Sequence, residues 1–246
     1  MTMSPFTTKT NTLVVGLLVF LSSTQLSAQG PKNSKDLEGW SALQIDIKVT
    51  KKLSFSVAEH LRYKKDISTL SNYFTQLETS YEIFQDFQIG AGVRFIKKND
   101  DIGNRQGIES HFRYQLDALY QHEVKQLNLS YRLRYQNKNE LGFSEEEGDI
   151  PKEQLRFMLA IGYKLRPIRV VFKLKGELFS TISDGAEPEK IDRNRFTLLA
   201  SRKFKKIGKF SLFYRIQEDI NTIEENVNKS IIGLKYSYSL DLRRSL

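Results

Sequence analysis

From Leu127 to Gln136 the chain alternates without a slip. Leu127, Leu129, Tyr131, Leu133 and Tyr135 are apolar or aromatic, while Asn128, Ser130, Arg132, Arg134 and Gln136 between them are polar. A period of two marks a β-strand with one dry and one wet face. The rhythm recurs. Leu43, Ile45, Ile47 and Val49 alternate with Gln44, Asp46 and Lys48, and Leu53, Phe55 and Val57 with Ser54, Ser56 and Ala58. Tyr73, Thr75, Leu77, Thr79 and Tyr81 form the next apolar-leaning face, followed by Phe87, Ile89, Ala91, Val93 and Phe95. Further alternating stretches begin near Phe112, Leu155, Ile168, Phe196, Phe210 and Ile232. Together they make about eleven strands, most of them about ten residues long, the length a tilted strand needs to cross a bilayer. No segment of helical period competes, and nothing reads as an internal domain boundary.

Such an apolar face points inward in a soluble sandwich and outward, to lipid, in an outer-membrane barrel. The connections favour the barrel, because they alternate in length. Residues 50–52, 83–86, 123–126, 165–167 and 204–208 are short; 64–70, 97–107, 138–153, 181–191 and 218–228 are longer and richer in Gly, Asp and Glu. Short periplasmic turns opposite long outer loops are the outer-membrane arrangement. Aromatic positions agree. Tyr63, Tyr73, Phe95, Tyr135 and Tyr214 fall near the outer ends of their strands, and Tyr81, Phe87, Tyr120, Tyr163 and Tyr238 near the inner ends. Two belts of amphipathic rings suit two membrane interfaces. The expected fold is therefore all-β, a transmembrane antiparallel up-and-down barrel. Bacterial single-chain barrels close with an even number of strands. Twelve are expected, with residues 30–38 supplying an irregular extra strand, and ten is the alternative.

The N-terminus gives the compartment. Lys9 precedes the apolar run LVVGLLVFL, and SSTQLSAQ follows it. A basic start, a short apolar core and small residues before a cut are the parts of a secretory signal peptide. Residues 1–28 are read as that signal, cleaved after Ala28, and 29–246 as one outer-membrane barrel domain. About nine apolar residues are too few to cross a ~30 Å hydrocarbon layer as a helix. Composition adds little. The mean hydropathy of −0.44 excludes a multi-helix membrane protein but not a barrel, whose alternating strands average to polar. The net charge is +9, with bases and acids interleaved and no basic arm that would suggest nucleic acid. Cysteine is absent, which removes disulfides and thiolate metal sites.

Several stretches are similar to one family. Trp40, the pair Leu61 and Arg62, GAGVRF from Gly90 to Phe95, YRLRYQNKNE from Tyr131 to Glu140 and IIGLKYSYSL from Ile231 to Leu240 carry the likeness. Together they resemble an uncharacterised outer-membrane β-barrel family of Gram-negative bacteria, a domain of unknown function. The resemblance spans the mature chain and implies a fold and a location. It brings no activity and no site.

The candidate chemistry lies on the polar parity. Arg62, Arg94, Arg113, Arg134, Arg156, Arg195 and Arg215 occupy seven strands, all in the half near the long loops. Level strand ends would make them a collar around the outer lumen. Guanidinium offers a permanent charge and a fork of donors for carboxylate or phosphate. Such a ring favours anions in a pore. Alternatively it pairs with Glu78, Glu109, Asp117 and Glu177 into a shut, structural lumen. The preferred reading is a structural or interaction barrel. A narrow anion-selective channel or acidic-ligand transporter is the alternative, and an outer-membrane lipid-modifying enzyme the third. The enzyme reading is thin. His60 and His111 take the lumen parity, His122 sits at a turn, and no nucleophile motif surrounds Ser56 or Ser110. Three scattered histidines give no metal-ligand spacing, and the acidic loop FSEEEGD reads as solvated. No cofactor and no catalytic or metal residue is expected. The expected partners are outer-membrane lipid and lipopolysaccharide, and a small anion or acidic ligand if the lumen is open. A monomer is expected.

Overall fold

The computed structural model describes residues 35–100, 107–142, 151–182, 191–220 and 228–243. The expected signal peptide and the FSEEEGD loop lie outside these residues. Eleven strands follow in chain order: β1 (Lys35–Lys48), β2 (Leu53–Lys64), β3 (Thr69–Phe84), β4 (Phe87–Asp100), β5 (Gly107–Val124), β6 (Leu127–Glu140), β7 (Lys152–Leu165), β8 (Val170–Ile182), β9 (Ile191–Phe204), β10 (Gly208–Asp219) and β11 (Asn228–Asp241). Each pairs antiparallel with its neighbours in sequence, and β1 closes the barrel on β11.

The strand count corrects the expectation of twelve or ten. Lys35–Glu38, assigned to an extra strand, are the beginning of β1 itself. An odd number of alternating strands starts and finishes in the same direction, so the seam must be parallel. It is continuous, from Lys35 opposite Asn228 to Lys48 opposite Asp241. Parallel ladders use evenly spaced, slanted hydrogen bonds and are only slightly less stable per residue than antiparallel ones. Nothing in backbone chemistry forbids an odd barrel.

At one end the connections are 49–52, 85–86, 125–126, 166–169 and 205–207; at the other they are 65–68, 101–106, 141–151, 183–190 and 220–227. The alternation in length holds with one exception. Residues 65–68 form a tight turn rather than a longer loop, because β2 and β3 stay paired as far as Lys64 and Thr69. Lys65, Asp66 and Ile67 all take left-handed backbone angles, unusual for a run without glycine and costly for β-branched Ile67. The Asp36 carboxylate compensates by accepting the N–H groups of Lys65 at 3.2 Å and Asp66 at 3.1 Å. The Ile67 N–H donates to the Leu37 carbonyl at 3.1 Å, pinning the turn to β1.

The two faces of the sheet are inverted relative to a protein with an apolar core. Among the described residues only six buried ones are hydrophobic: Ala58, Phe74, Met158, Ala160, Phe179 and Ile231. Seventeen are polar or charged, including Arg94, Arg113, Gln115, Arg134, Arg156 and Glu177. The large apolar side chains point out, with Leu43 63 % exposed, Leu116 55 % and Leu212 58 %. The polar parity of the alternating strands is thus the lumen parity.

One glycine shapes the wall. Gly233 faces inward on β11, directly opposite Phe213 of β10, whose ring lies over it. A Cβ there would collide with the ring, so any larger residue must evict Phe213 from its place. Gly233→Val is therefore expected to destabilise the barrel by about 1–3 kcal/mol, the usual cost of overpacking. The folded band on an unheated detergent gel should disappear at a lower temperature than in the wild type. An unchanged temperature would show that the ring moves aside freely.

Candidate functional site in the lumen

Strand parity turns all seven predicted arginines inward, on β2, β4, β5, β6, β7, β9 and β10. Two more join them, Arg132 on β6 and Arg193 on β9. The ladder sets like charges side by side, Arg94 opposite Arg113 and Arg134 opposite Arg156. A like-charged pair at ~8 Å with an effective dielectric of ~20 costs roughly 2 kcal/mol. The fold answers this repulsion in three ways.

Carboxylates come first. Asp117 accepts from Arg134 through both oxygens, at 2.6 and 2.9 Å. The central acid is Glu177 on β8, which reaches Arg132 at 2.7 Å, Arg156 at 3.0 Å and Arg195 at 3.4 Å. Glu78 adds a longer contact to Arg134 at 3.5 Å, and Asp219 pairs with Arg193. Glu109, expected among these counter-charges, instead meets Lys98 at 2.9 Å and His111 at 3.0 Å.

Amides come second. The Gln115 carbonyl oxygen accepts from Arg113 at 2.9 Å and Arg134 at 3.0 Å, while its N–H donates to Glu78 at 2.6 Å. Gln136 accepts from Arg156 at 3.2 Å and donates to Gln154 at 2.7 Å. Gln76 accepts from Arg94, and Gln217 from Arg195 at 3.1 Å.

Aromatic faces come third. The Arg62 guanidinium lies 3.7 Å from the Trp40 ring centre and 4.7 Å from that of Phe74, which Arg94 also approaches, at 3.9 Å. Arg156 and Arg195 lie over Phe179 at 4.4 and 4.7 Å, and Arg215 over Trp40 at 4.8 Å. Such contacts are worth ~0.5–2 kcal/mol each and more when water is excluded. Sequence reasoning does not single out Trp40, Phe74 and Phe179 as lumen residues. A signal for them exists all the same: each is an aromatic side chain on the polar parity of its strand.

Arg62, Arg94, Arg113 and Arg193 line a cavity of about 300 Å³ toward the long connections. Arg132 and Arg134 line another of about 450 Å³ toward the short ones. Tilt and stagger of the strands place similar sequence positions at different levels. Between the cavities sit Gln76 and Gln115.

The histidines are scattered. His60 stacks on Phe74 with ring centres 4.4 Å apart, inside the lumen. His122 packs against Tyr120 and Tyr131 at 5.3 and 5.8 Å. His111 has ligand atoms near those of Glu109 and Glu140, all within 4.8 Å of one another, a set that could hold a metal ion. The Lys98 ammonium on Glu109 already fills the role of that cation. Of the serines, Ser56 lines the larger cavity, and Ser110 accepts from Lys97 at 2.7 Å.

Glu177 is the most heavily used acid. Removing one partner of a buried ionic cluster costs ~3–5 kcal/mol, because the remaining charge is left unanswered. Glu177→Gln should lower the thermal unfolding temperature sharply, and adding Arg156→Gln should recover part of the loss. Circular dichroism melts in detergent read both effects; simple addition of the two losses would show that the residues do not act as a unit.

No curated protein matches the chain. A family model described as a protein of unknown function (DUF2490) matches residues 37–228, from the third residue of β1 to the first of β11. The match thus takes in nearly the whole barrel with its lumen network, and the chain belongs to that family.

Proposed function

We propose that this chain is an outer-membrane β-barrel whose lumen is shut by its own arginine network, and that it serves as a structural or interaction barrel. The observation that carries the reading is the inverted partition, with polar side chains buried inside and apolar ones exposed around a closed sheet. Water would penalise such a surface, whereas lipid matches it. A 14-residue strand such as β6, tilted by ~40°, reaches roughly 35 Å along the barrel axis, enough for an apolar band of ~25 Å.

Aromatic pairs support the same reading. Phe84 with Phe87 and Tyr120 with Tyr131 gather near the short turns, with ring centres 5.0 and 6.3 Å apart. Phe95 with Phe112 and Tyr114 with Tyr135 gather toward the long connections, at 5.2 and 6.1 Å. Interfacial belts are where such rings belong. Against an open channel stand the buried Gln76 and Gln115 between the two cavities and the ion pairs that Asp117 and Glu177 make across neighbouring strands.

Cysteine at Leu133 or Leu212 should react with a lipid-soluble thiol reagent, and cysteine at Ser56 or Ser239 with a water-soluble one. The reverse labelling would sink the membrane reading. In planar bilayers the purified protein should show no steady single-channel steps. A stable, anion-selective current would overturn the shut lumen and restore the channel reading.

A further inference from the structure

We propose that the cavity toward the long connections is a binding site for a small soluble polyanion carrying two or more phosphate or carboxylate groups. The proposal rests on the closed-barrel reading for its floor, since a shut lumen makes this cavity a cup rather than a passage.

The two cavities differ in charge. The larger one mixes signs, with Asp46, Glu78 and Asp117 among its lysines and arginines. The smaller one has seven Lys or Arg among its thirteen lining residues and, among the described residues, no carboxylate in that lining. Two of the seven are ion-paired from outside it, Arg193 by Asp219 and Lys98 by Glu109, and behind the lining Asp192 accepts from Gln154 while buried Glu38 bonds Trp40, on which Arg62 rests. A lining of one sign within low-dielectric walls focuses potential and gathers counter-ions. Its volume of about 300 Å³ lies at the small end of ligand pockets, ~300–1,000 Å³.

The donors are built and partly unused. Arg94 and Arg113 face each other across the ladder, and the oxygens they bond belong to Gln76 and Gln115, which are neutral. The Nε groups of Arg62, Arg94 and Arg113 are buried without a hydrogen-bond partner. Phe74 supports Arg62 and Arg94 from the face of each guanidinium plane. Stacking fixes that plane and leaves the edge donors for a planar or tetrahedral oxyanion. Lys152, exposed farther along the same lining, would draw an anion in.

The test is calorimetric titration of the purified protein in nanodiscs of zwitterionic lipid, with pyrophosphate and citrate as probes. Pyrophosphate should bind, and Arg94→Gln with Arg113→Gln should weaken it at least tenfold. Lys152→Gln, at an exposed position that leaves the buried layer intact, should weaken it about threefold, while Lys209→Gln in the other cavity should leave it unchanged. Retained heat-dependent gel mobility certifies the fold of each variant. Citrate binding alone, with the same response to the variants, would support the site and narrow its class to carboxylates. No binding of either probe at millimolar concentration would overturn the site, as would equal loss in Lys209→Gln. Loss of pyrophosphate binding in discs of anionic lipid would overturn the soluble ligand in favour of a lipid headgroup. A conducting barrel that still binds pyrophosphate would refute only the shut lumen, and a silent barrel that ignores both probes only the site.

Discussion

Closure of the backbone ladder is the constraint on which everything else in this barrel depends. A sheet with a free edge presents unpaired N–H and C=O groups, which water tolerates and lipid does not. With eleven strands the last edge can be satisfied only by a parallel seam, and β1 and β11 supply one along their whole length. Once the ring is closed, every side chain has two destinations, wall exterior or lumen. The alternating sequence assigns them, and no separate apolar core is needed to hold the sheet together.

Closure also creates the difficulty that the lumen solves. A small barrel has too little internal space for a water-filled pore and must fill it with side chains. Here much of the filling is arginine and glutamine, and the chemistry explains why. A guanidinium can bond a carboxylate through its edge and an aromatic ring through its face at once. An amide accepts from one neighbour and donates to the next, as Gln115 does between Arg113, Arg134 and Glu78. Three arginines can therefore share Glu177 while Arg94 rests on Gln76 and Arg62 on Trp40. The ion pairs offset the cost of desolvating charge more than they add net stability. Their larger effect is to hold the lumen in one arrangement.

Much of the fold is legible in the sequence because period-two alternation survives any uncertainty about strand ends. The inward parity of Arg62, Arg94 and Arg134 follows from their neighbours alone. The strand number is not legible in the same way. An expectation of even closure displaces the count of about eleven that the pattern itself supports, whereas Lys35–Glu38 belong to β1. The relative heights of the arginines are not legible either: levels around a barrel depend on stagger, which no local pattern encodes. Trp40, Phe74 and Phe179 are easily overlooked, since an aromatic residue in a barrel strand reads as lipid-facing until its parity is checked.

Acids are spread along the whole lumen. Asp117, Glu78 and Glu177 neutralise the middle and the short-turn half, and Asp46 lies there too. Toward the long connections Glu38 meets Lys229, Glu109 meets Lys98 and His111, Asp219 meets Arg193 and Asp192 accepts from Gln154, while Arg94 and Arg113 bond amide oxygens. The Arg94 and Arg113 pair thus meets its mutual repulsion with neutral amide oxygens, and at Arg94 with the Phe74 face, rather than with a carboxylate. Swapping Gln76 or Gln115 for an acid would relieve it within the same space. An amide keeps what an acid would lose, since Gln115 accepts from Arg113 and Arg134 and also donates to Glu78, which a carboxylate could not do.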